Sequence, residues 1–465
     1  MNLFKPNDVH SATLPLYYVS RLLGLASYRY HIRTSTHPPG PSRSRNGGDT
    51  FDLEREFQTS KCAVLYTGLM LVALLVWLVY SLVWKILYDF SDVKLTYAVT
   101  QIMTLCLSAA TTVISLALEL TCNRRKLKKV MLKLTHVDKI LMKDSNYVHK
   151  KMSCFVVLEL VIFVCLLLAR HGYELWSRGG KQYVNIIIRF VIHFMSTLMI
   201  VQFVSFIHLL KQRFRCVNRQ LSFLGGIKDQ ERGLEIVKMG FTHHRFGVPV
   251  SQNAVVVPHA DDIQSSKSQE QGSVATSIFI SDTETGNLPS TSSSSKFRSP
   301  CRPHDVDTIH TLRCIHTILF DIGGLVNSVY GIQLLLAMAY IFMSVVKYFH
   351  VVMISQQDQL SSFRVNGIVP LMCVVSIHIA NVLWVTASCN SACFEACRTT
   401  TLVNKFLLVQ PLTSDISAEL EHFSQQLLHS KLQFTAFGFF NLDFTFLYGF
   451  VGGATTYIVI LLQFQ

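Results

Sequence analysis

The chain has 465 residues, of which half are hydrophobic and only 15% are charged, and its mean hydropathy is +0.35. That balance leaves too little charge to cover the surface of two or three soluble domains and places the chain among membrane proteins. The formal net charge is +13, yet the basic residues are not gathered in one domain, so no nucleic-acid partner is expected.

The N-terminal 1–61 reads as a cytoplasmic segment. Its first 30 residues lack a clean apolar core followed by a small-residue cleavage site, so no cleavable leader is expected. HIRTSTHPPGPSRSRNGGDT (31–50) is rich in Pro, Gly, Ser and Arg and reads as disordered. Apolar stretches long enough to cross a bilayer as helices follow. Four fall within 62–210, at 62–89, 96–120, 153–170 and 183–210. Residues 211–326 form a loop whose stretch 225–305 is too polar to bury a core and reads as disordered. Two more spans fall within 327–388, at 327–349 and 366–388, and the last occupies 437–465. The fold class is therefore all-α, with seven transmembrane helices.

Basic residues mark the cytoplasmic side. Lys plus Arg number eight in the N-terminal segment, ten in the second loop and thirteen in the fourth, while the odd loops hold few and the C-terminus none. The N-terminus therefore lies inside and the C-terminus outside, as a multi-pass protein of the plasma membrane. A G-protein-coupled receptor has the reverse orientation, and the chain also lacks Asp-Arg-Tyr after the third span and N-P-x-x-Y in the seventh.

Residues 389–436 form a cytoplasmic anchor region. Within it, PLTSDISAELEHFSQQLLHSKL (411–432) carries Ile416, Leu420, Phe423 and Leu427 at i, i+4, i+7 and i+11. That spacing predicts an amphipathic helix, packed on partner helices below the bilayer or lying on the membrane surface. Cys389, Cys393 and Cys397 recur every fourth residue and suit either small buried thiols or a zinc site; buried thiols are the expectation, with no metal. No P-loop, H-E-x-x-H or G-x-S-x-G occurs, and neither an enzyme nor a cofactor is expected.

The last span has no charge from Phe444 onward. At about 100° per residue, Gly449, Gly453, Thr456, Tyr457, Ile460, Gln463 and Phe464 share one arc, opposite Ile458, Val459, Leu461 and Leu462. Such a face either packs within one chain or, when several copies turn it to a common axis, lines a pore with apolar constrictions.

TYIVILLQF (456–464) resembles the C-terminal TYhhhhhQF signature of insect gustatory receptors, where h is apolar, and it sits in the seventh helix as in that family. The topology and the amphipathic helix before the last span are similar too. The resemblance implies a ligand-gated, non-selective cation channel assembled as a homotetramer in membrane lipid. The seventh helix of each subunit would line the path of the permeant cations, with Thr456, Tyr457, Ile460, Gln463 and Phe464 as pore and gate residues. Ile458 stands where the large sugar-receptor branch usually has an acidic residue. LPLYYVSRLLGLASYRY (14–30) and the apolar filling of the motif are more like the fructose-receptor branch, which implies a small sugar as ligand; bitter receptors are the alternative.

In that family the ligand pocket lies among helices two to six and opens outward. A sugar needs hydrogen-bonding groups and aromatic faces. The positions that meet this description are Gln101 on the second span, His171, Tyr173, Glu174 and Trp176 at the end of the third, and Arg189 and His193 on the fourth. Tyr340, Ser344 and Lys347 on the fifth and Asn366 and His378 on the sixth complete the set. Tyr173 and Trp176 also suit an interfacial belt, Arg189 a snorkelling cation, and His193 and His378 ordinary packing.

Overall fold

A long apolar run has no water to satisfy its backbone in a bilayer, so it folds as a helix that bonds to itself. In the computed structural model the described residues are 13–26, 28–33, 54–89, 95–141, 146–177, 183–227, 303–357, 364–408 and 412–463. They form α1 (Leu14–Leu22), the antiparallel pair β1 (Tyr28–Arg33) and β2 (Glu54–Thr59), and α2 (Lys61–Trp84). Then come α3 (Leu95–Leu118), α4 (Arg124–Leu141), α5 (Asn146–Ser177), α6 (Tyr183–Leu224), α7 (Pro303–Gln357) and α8 (Arg364–Leu407). The chain continues through α9 (Ser414–His429), the short antiparallel pair β3 (Thr435–Ala436) and β4 (Phe440–Asn441), and α10 (Phe444–Gln463).

Seven of these helical stretches are long and apolar enough to cross a membrane: α2, α3 with α4, α5, α6, α7, α8 and α10. They are not equally enclosed. Two-thirds of the apolar window of α6 and α7 (67%) is buried inside the chain, against 22% for α2 and 11% for α10. The middle helices thus build the core, through side chains such as Phe203, Ile207, Phe214, Leu319, Leu334 and Val385, and α10 stands at its edge.

Several helices run past their apolar spans. α7 begins at Pro303, so 303–326, expected as loop, is helix; Ile309, Leu312, Ile315, Leu319 and Ile322 recur every three or four residues and are buried. α8 likewise continues through 389–407, and α6 reaches Leu224. Of the 31–50 stretch expected as disordered, residues 31–33 are strand, while 34–53 and 228–302 lie outside the described residues. The last span starts at Phe444, because 437–443 belong to a turn and to β4.

Below the bilayer these extensions are fastened by charge. Arg213 of α6 donates from Nε to Asp138 Oδ1 (3.0 Å) and from Nη2 to Oδ2 (2.8 Å) on α4, with Nη1 on the Leu209 carbonyl (3.0 Å). Glu395 of α8 takes the Arg215 guanidinium at 2.5 Å, and its carbonyl accepts from Asn218 Nδ2 (2.8 Å). Thr399 Oγ1 then donates to Asn218 Oδ1 (2.8 Å). Charges this deep are tolerated only when paired and fully hydrogen-bonded, as here.

α9 packs on α7 and α8 with Ile416, Leu420, Phe423 and Leu427 buried, the four positions that the spacing singles out. Arg313 of α7 holds it by an ion pair to Glu419 (2.7 Å). The β3–β4 turn needs left-handed backbone at Phe437 (φ 52°) and Gly438 (φ 82°), and Phe439 N closes it on the Ala436 carbonyl (3.0 Å). Asn327 clamps this hairpin to α7, accepting from Thr435 N (2.8 Å) and donating to Thr435 Oγ1 (3.1 Å). Gly331, one turn further along α7, lets the hairpin backbone approach: a Cβ there would lie 3.2 Å from Phe437 N.

Candidate ligand pocket and pore helix

The outer ends of α5, α6, α7 and α8 converge on one polar cluster. α5 reaches that side with its last turns, and α6 starts there. His171 Nε2 lies 3.1 Å from His193 Nδ1, and His193 Nε2 lies 3.0 Å from Tyr340 Oη. This is a continuous relay from α5 through α6 to α7. Arg189 Nη2 donates to Glu174 Oε1 (2.6 Å), and Glu174 Oε2 is 3.5 Å from His171 Nδ1. His378 of α8 stands edge-on to Tyr340, with centroids 5.5 Å apart, and stacks along Tyr348 at 6.5 Å. Lys347 Nζ sits 4.3 Å over the Tyr348 ring, and Ser344, one turn below Tyr348 on α7, is 1% exposed.

Six of the expected residues, His171, Glu174, Arg189, His193, Tyr340 and His378, are therefore drawn into one network, with Lys347 beside it. Tyr173 and Trp176 pair with each other at 6.1 Å, and Trp176 is 80% exposed, which suits a belt position at the headgroups rather than the cluster. Gln101 is half-buried on α3, and its carbonyl accepts from Thr104 Oγ1 at 3.0 Å. The Asn366 side chain lies outside the described residues.

Two members escaped the sequence. Arg170 Nη2 donates to Tyr348 Oη (3.1 Å), so both belong to the cluster. Glu174 is the i+4 neighbour of Arg170 on α5, and Tyr348 lies two turns beyond Tyr340 on α7. Helical spacing from the residues already chosen was the available signal.

Two cavities lie deeper among the described residues, one of about 20 Å³ bounded by Ser115, Glu119, Asn123, Gln202 and Gln333, and one of about 30 Å³ bounded by Tyr17, Ser20 and Phe206. The first has room for about one water. Neither touches the outer network, whose side chains bond to each other.

α10 starts on Asp443, whose Oδ1 accepts from Thr445 N (2.9 Å) and Phe446 N (3.3 Å), an N-cap that satisfies two orphan donors. Phe450 and Ala454 bury against the rest of the chain. Phe342 of α7 meets α10 three times: its ring is edge-on to Phe450 (5.5 Å) and to Tyr457 (5.7 Å), and it faces Gly453. Of the arc expected to face an axis, Gly453 and Tyr457 thus lean on α7. Gly449, Thr456, Ile460 and Gln463 are left uncovered by their own chain. Phe464 lies outside the described residues.

Comparison with known proteins gives this architecture a place. A family model described as 7tm Chemosensory receptor matches residues 13–245 and 280–465. The chain belongs to that family. The 7tm chemosensory receptors are receptors rather than enzymes, and this one is a multi-pass membrane protein. It is 28% identical to putative gustatory receptor 2a of Drosophila melanogaster over 178 residues, 34% of this chain and 42% of the relative. It is also 28% identical to putative gustatory receptor 28b of that species, over 32% of this chain and 33% of the relative. For the gustatory receptor for bitter taste 66a the identity is 28% over 34% of this chain and 31% of the relative. The matched region thus spans less than half the length of these curated relatives. The fold is that of the insect olfactory receptor OR5 from Machilis hrabei, with a TM-score of 0.58 at 11% identity, covering 97% of this chain and 98% of that one. The structure of OR5 in complex with eugenol aligns at a TM-score of 0.54 and 12% identity, over 98% and 99%.

Proposed function

We propose that this 7tm chemosensory receptor is a gustatory receptor acting as a ligand-gated, non-selective cation channel. Four copies assemble with α10 at the common axis, and a small sugar, fructose first, binds in the outer cluster. The observation that carries this reading is the state of α10. It is an apolar spanning helix left almost bare by its own chain, with Thr456, Ile460 and Gln463 on the bare side. Neighbouring copies would cover its flanks, leaving Gln463 as a polar ring and Ile460 as an apolar constriction that closes by dewetting.

The outer cluster supplies the sensing half. Imidazole, phenol and guanidinium groups offer donors and acceptors to hydroxyls, and the Tyr340 and Tyr348 rings offer faces to C–H surfaces. Because these groups now bond to one another, a ligand that replaces their bonds moves α7 relative to α6. Phe342 carries that displacement to α10.

The test is electrophysiological. Cells expressing the full chain alone should show inward cation current on addition of fructose. Gln463→Ala should alter unitary conductance or leak at unchanged surface expression. Absence of ligand-evoked current, or currents indifferent to Gln463→Ala, would defeat the reading. The likeness to the gustatory receptor for bitter taste 66a favours a second reading, in which a bitter compound opens the same channel; silence to sugars with currents to a bitter panel would select it.

A further inference from the structure

Among the described residues, the charges of the outer cluster do not balance. Arg170, Arg189 and Lys347 meet there with one carboxylate, Glu174, and Glu174 is engaged by Arg189 at 2.6 Å. Arg170 and Lys347 instead share the neutral phenol of Tyr348, one on its oxygen at 3.1 Å and the other over its ring at 4.3 Å. Among the described residues neither forms an ion pair with a carboxylate. A second observation points into the same space. His378 is 5% exposed, lies between the Tyr340 and Tyr348 rings, and neither of its ring nitrogens has a hydrogen-bond partner.

We propose that, among the small sugars of the proposed reading, the outer cluster prefers those bearing a negative charge, a carboxylate or phosphate on the hydroxylated scaffold, to their neutral parents and to cationic compounds. This rests on the cluster being the ligand pocket. Surplus positive charge within the depth of a membrane is costly unless a counter-charge accompanies it. An anion entering between α5 and α7 supplies that charge. It replaces the phenol on Arg170 with a charge-assisted bond, to which the planar guanidinium fork is well matched. Lys347 adds a compact point charge from the α7 side, and His378 offers a ring nitrogen as donor. The His171–His193–Tyr340 relay is left to meet hydroxyl groups, so the pocket divides into a charged end and a hydroxyl end. A cationic ligand would meet Arg170 and Lys347 in a low-dielectric setting, where repulsion at contact distance is strong.

Equilibrium binding to the purified full-length protein in lipid nanodiscs tests this with matched probes. D-glucuronate is set against D-glucose, and fructose 6-phosphate against fructose, so that charge is the main difference within each pair. The acid of at least one pair should bind about tenfold or more tightly than its neutral partner. Lys347→Met and Arg170→Gln should each remove most of that preference while leaving the unliganded melting temperature in place. Equal affinities, tighter binding of the neutral sugars, a preference that survives both substitutions, or failure of both acids to bind would each overturn the proposal. Binding is read without current. A protein that prefers the acids but never conducts defeats the channel reading alone, and one that conducts with fructose but ignores charge defeats this inference alone.

Discussion

Arg213, which has no exposed surface, grips both oxygens of Asp138 across the interface of α6 and α4. Removing the carboxylate would strand a guanidinium in the interior, a change that costs about 3–5 kcal/mol where such pairs have been broken. Asp138→Ala should therefore lower the thermal midpoint of the detergent-solubilised protein far more than substitution of the half-exposed Lys133, whose ion pair to Asp321 lies near the surface. Similar losses from the two variants would show that Arg213 finds other partners.

The relay in the outer cluster makes a prediction about potency. Tyr340→Phe keeps the ring against His378 but deletes the hydroxyl that meets His193 at 3.0 Å. With that bond gone, His193 reorients, and the concentration for half-maximal current should shift about tenfold, which corresponds to one hydrogen bond of about 1.4 kcal/mol. Surface expression should stay near that of the parent chain. An unshifted dose–response curve would remove Tyr340 from the ligand's surroundings.

On the proposed reading, Phe342 links the outer cluster to the pore helix. It lies two positions from Tyr340 on α7, on the opposite side, and wedges between Phe450 and Tyr457 of α10. Phe342→Ala should leave ligand binding intact while abolishing or strongly reducing evoked current. Loss of binding in parallel with current would mean that the ring only holds the bundle together.

The hairpin clamp offers a fourth measurement. Gly331→Leu would drive a side chain into the Phe437 backbone, where even a Cβ arrives at 3.2 Å. Overpacking of this kind costs about 1–3 kcal/mol. The expected outcome is a lower melting temperature together with altered resting leak, because β4 leads directly into α10. Gly452→Ala, where a Cβ meets nothing within 4 Å, is the matched control and should not affect stability.

Much of this architecture was legible in the chain. The apolar windows locate the spans because hydropathy reports lipid-depth burial directly. The buried stripe of α9 is visible because a helix on the cytoplasmic side must show its period in polar surroundings. What stayed hidden has the opposite cause. In 303–326 the apolar positions are separated by Asp, His and Arg, so mean hydropathy falls although the helical period persists, and α7 runs on unbroken. Arg170 and Tyr348 were missed because each looks ordinary alone, a cation at a span end and an aromatic in a span. Only the crossing of α5 and α7 brings them to 3.1 Å. Trp176 shares the right depth but stands 80% exposed, since depth can be counted along a helix and azimuth depends on the neighbours.

α7 is a single uninterrupted helix of 55 residues, about 80 Å long. It bears Tyr340 and Tyr348 near one end, Phe342 against the last helix, and Asn327 and Gly331 at the hairpin. If the proposed function holds, such a rod keeps the chemistry of recognition some distance from the mechanics of opening. On the proposed reading, side chains at its outer tip set which ligand is accepted, while the contacts with α10 and the hairpin set how readily the channel opens, so that either property is open to substitution without the other.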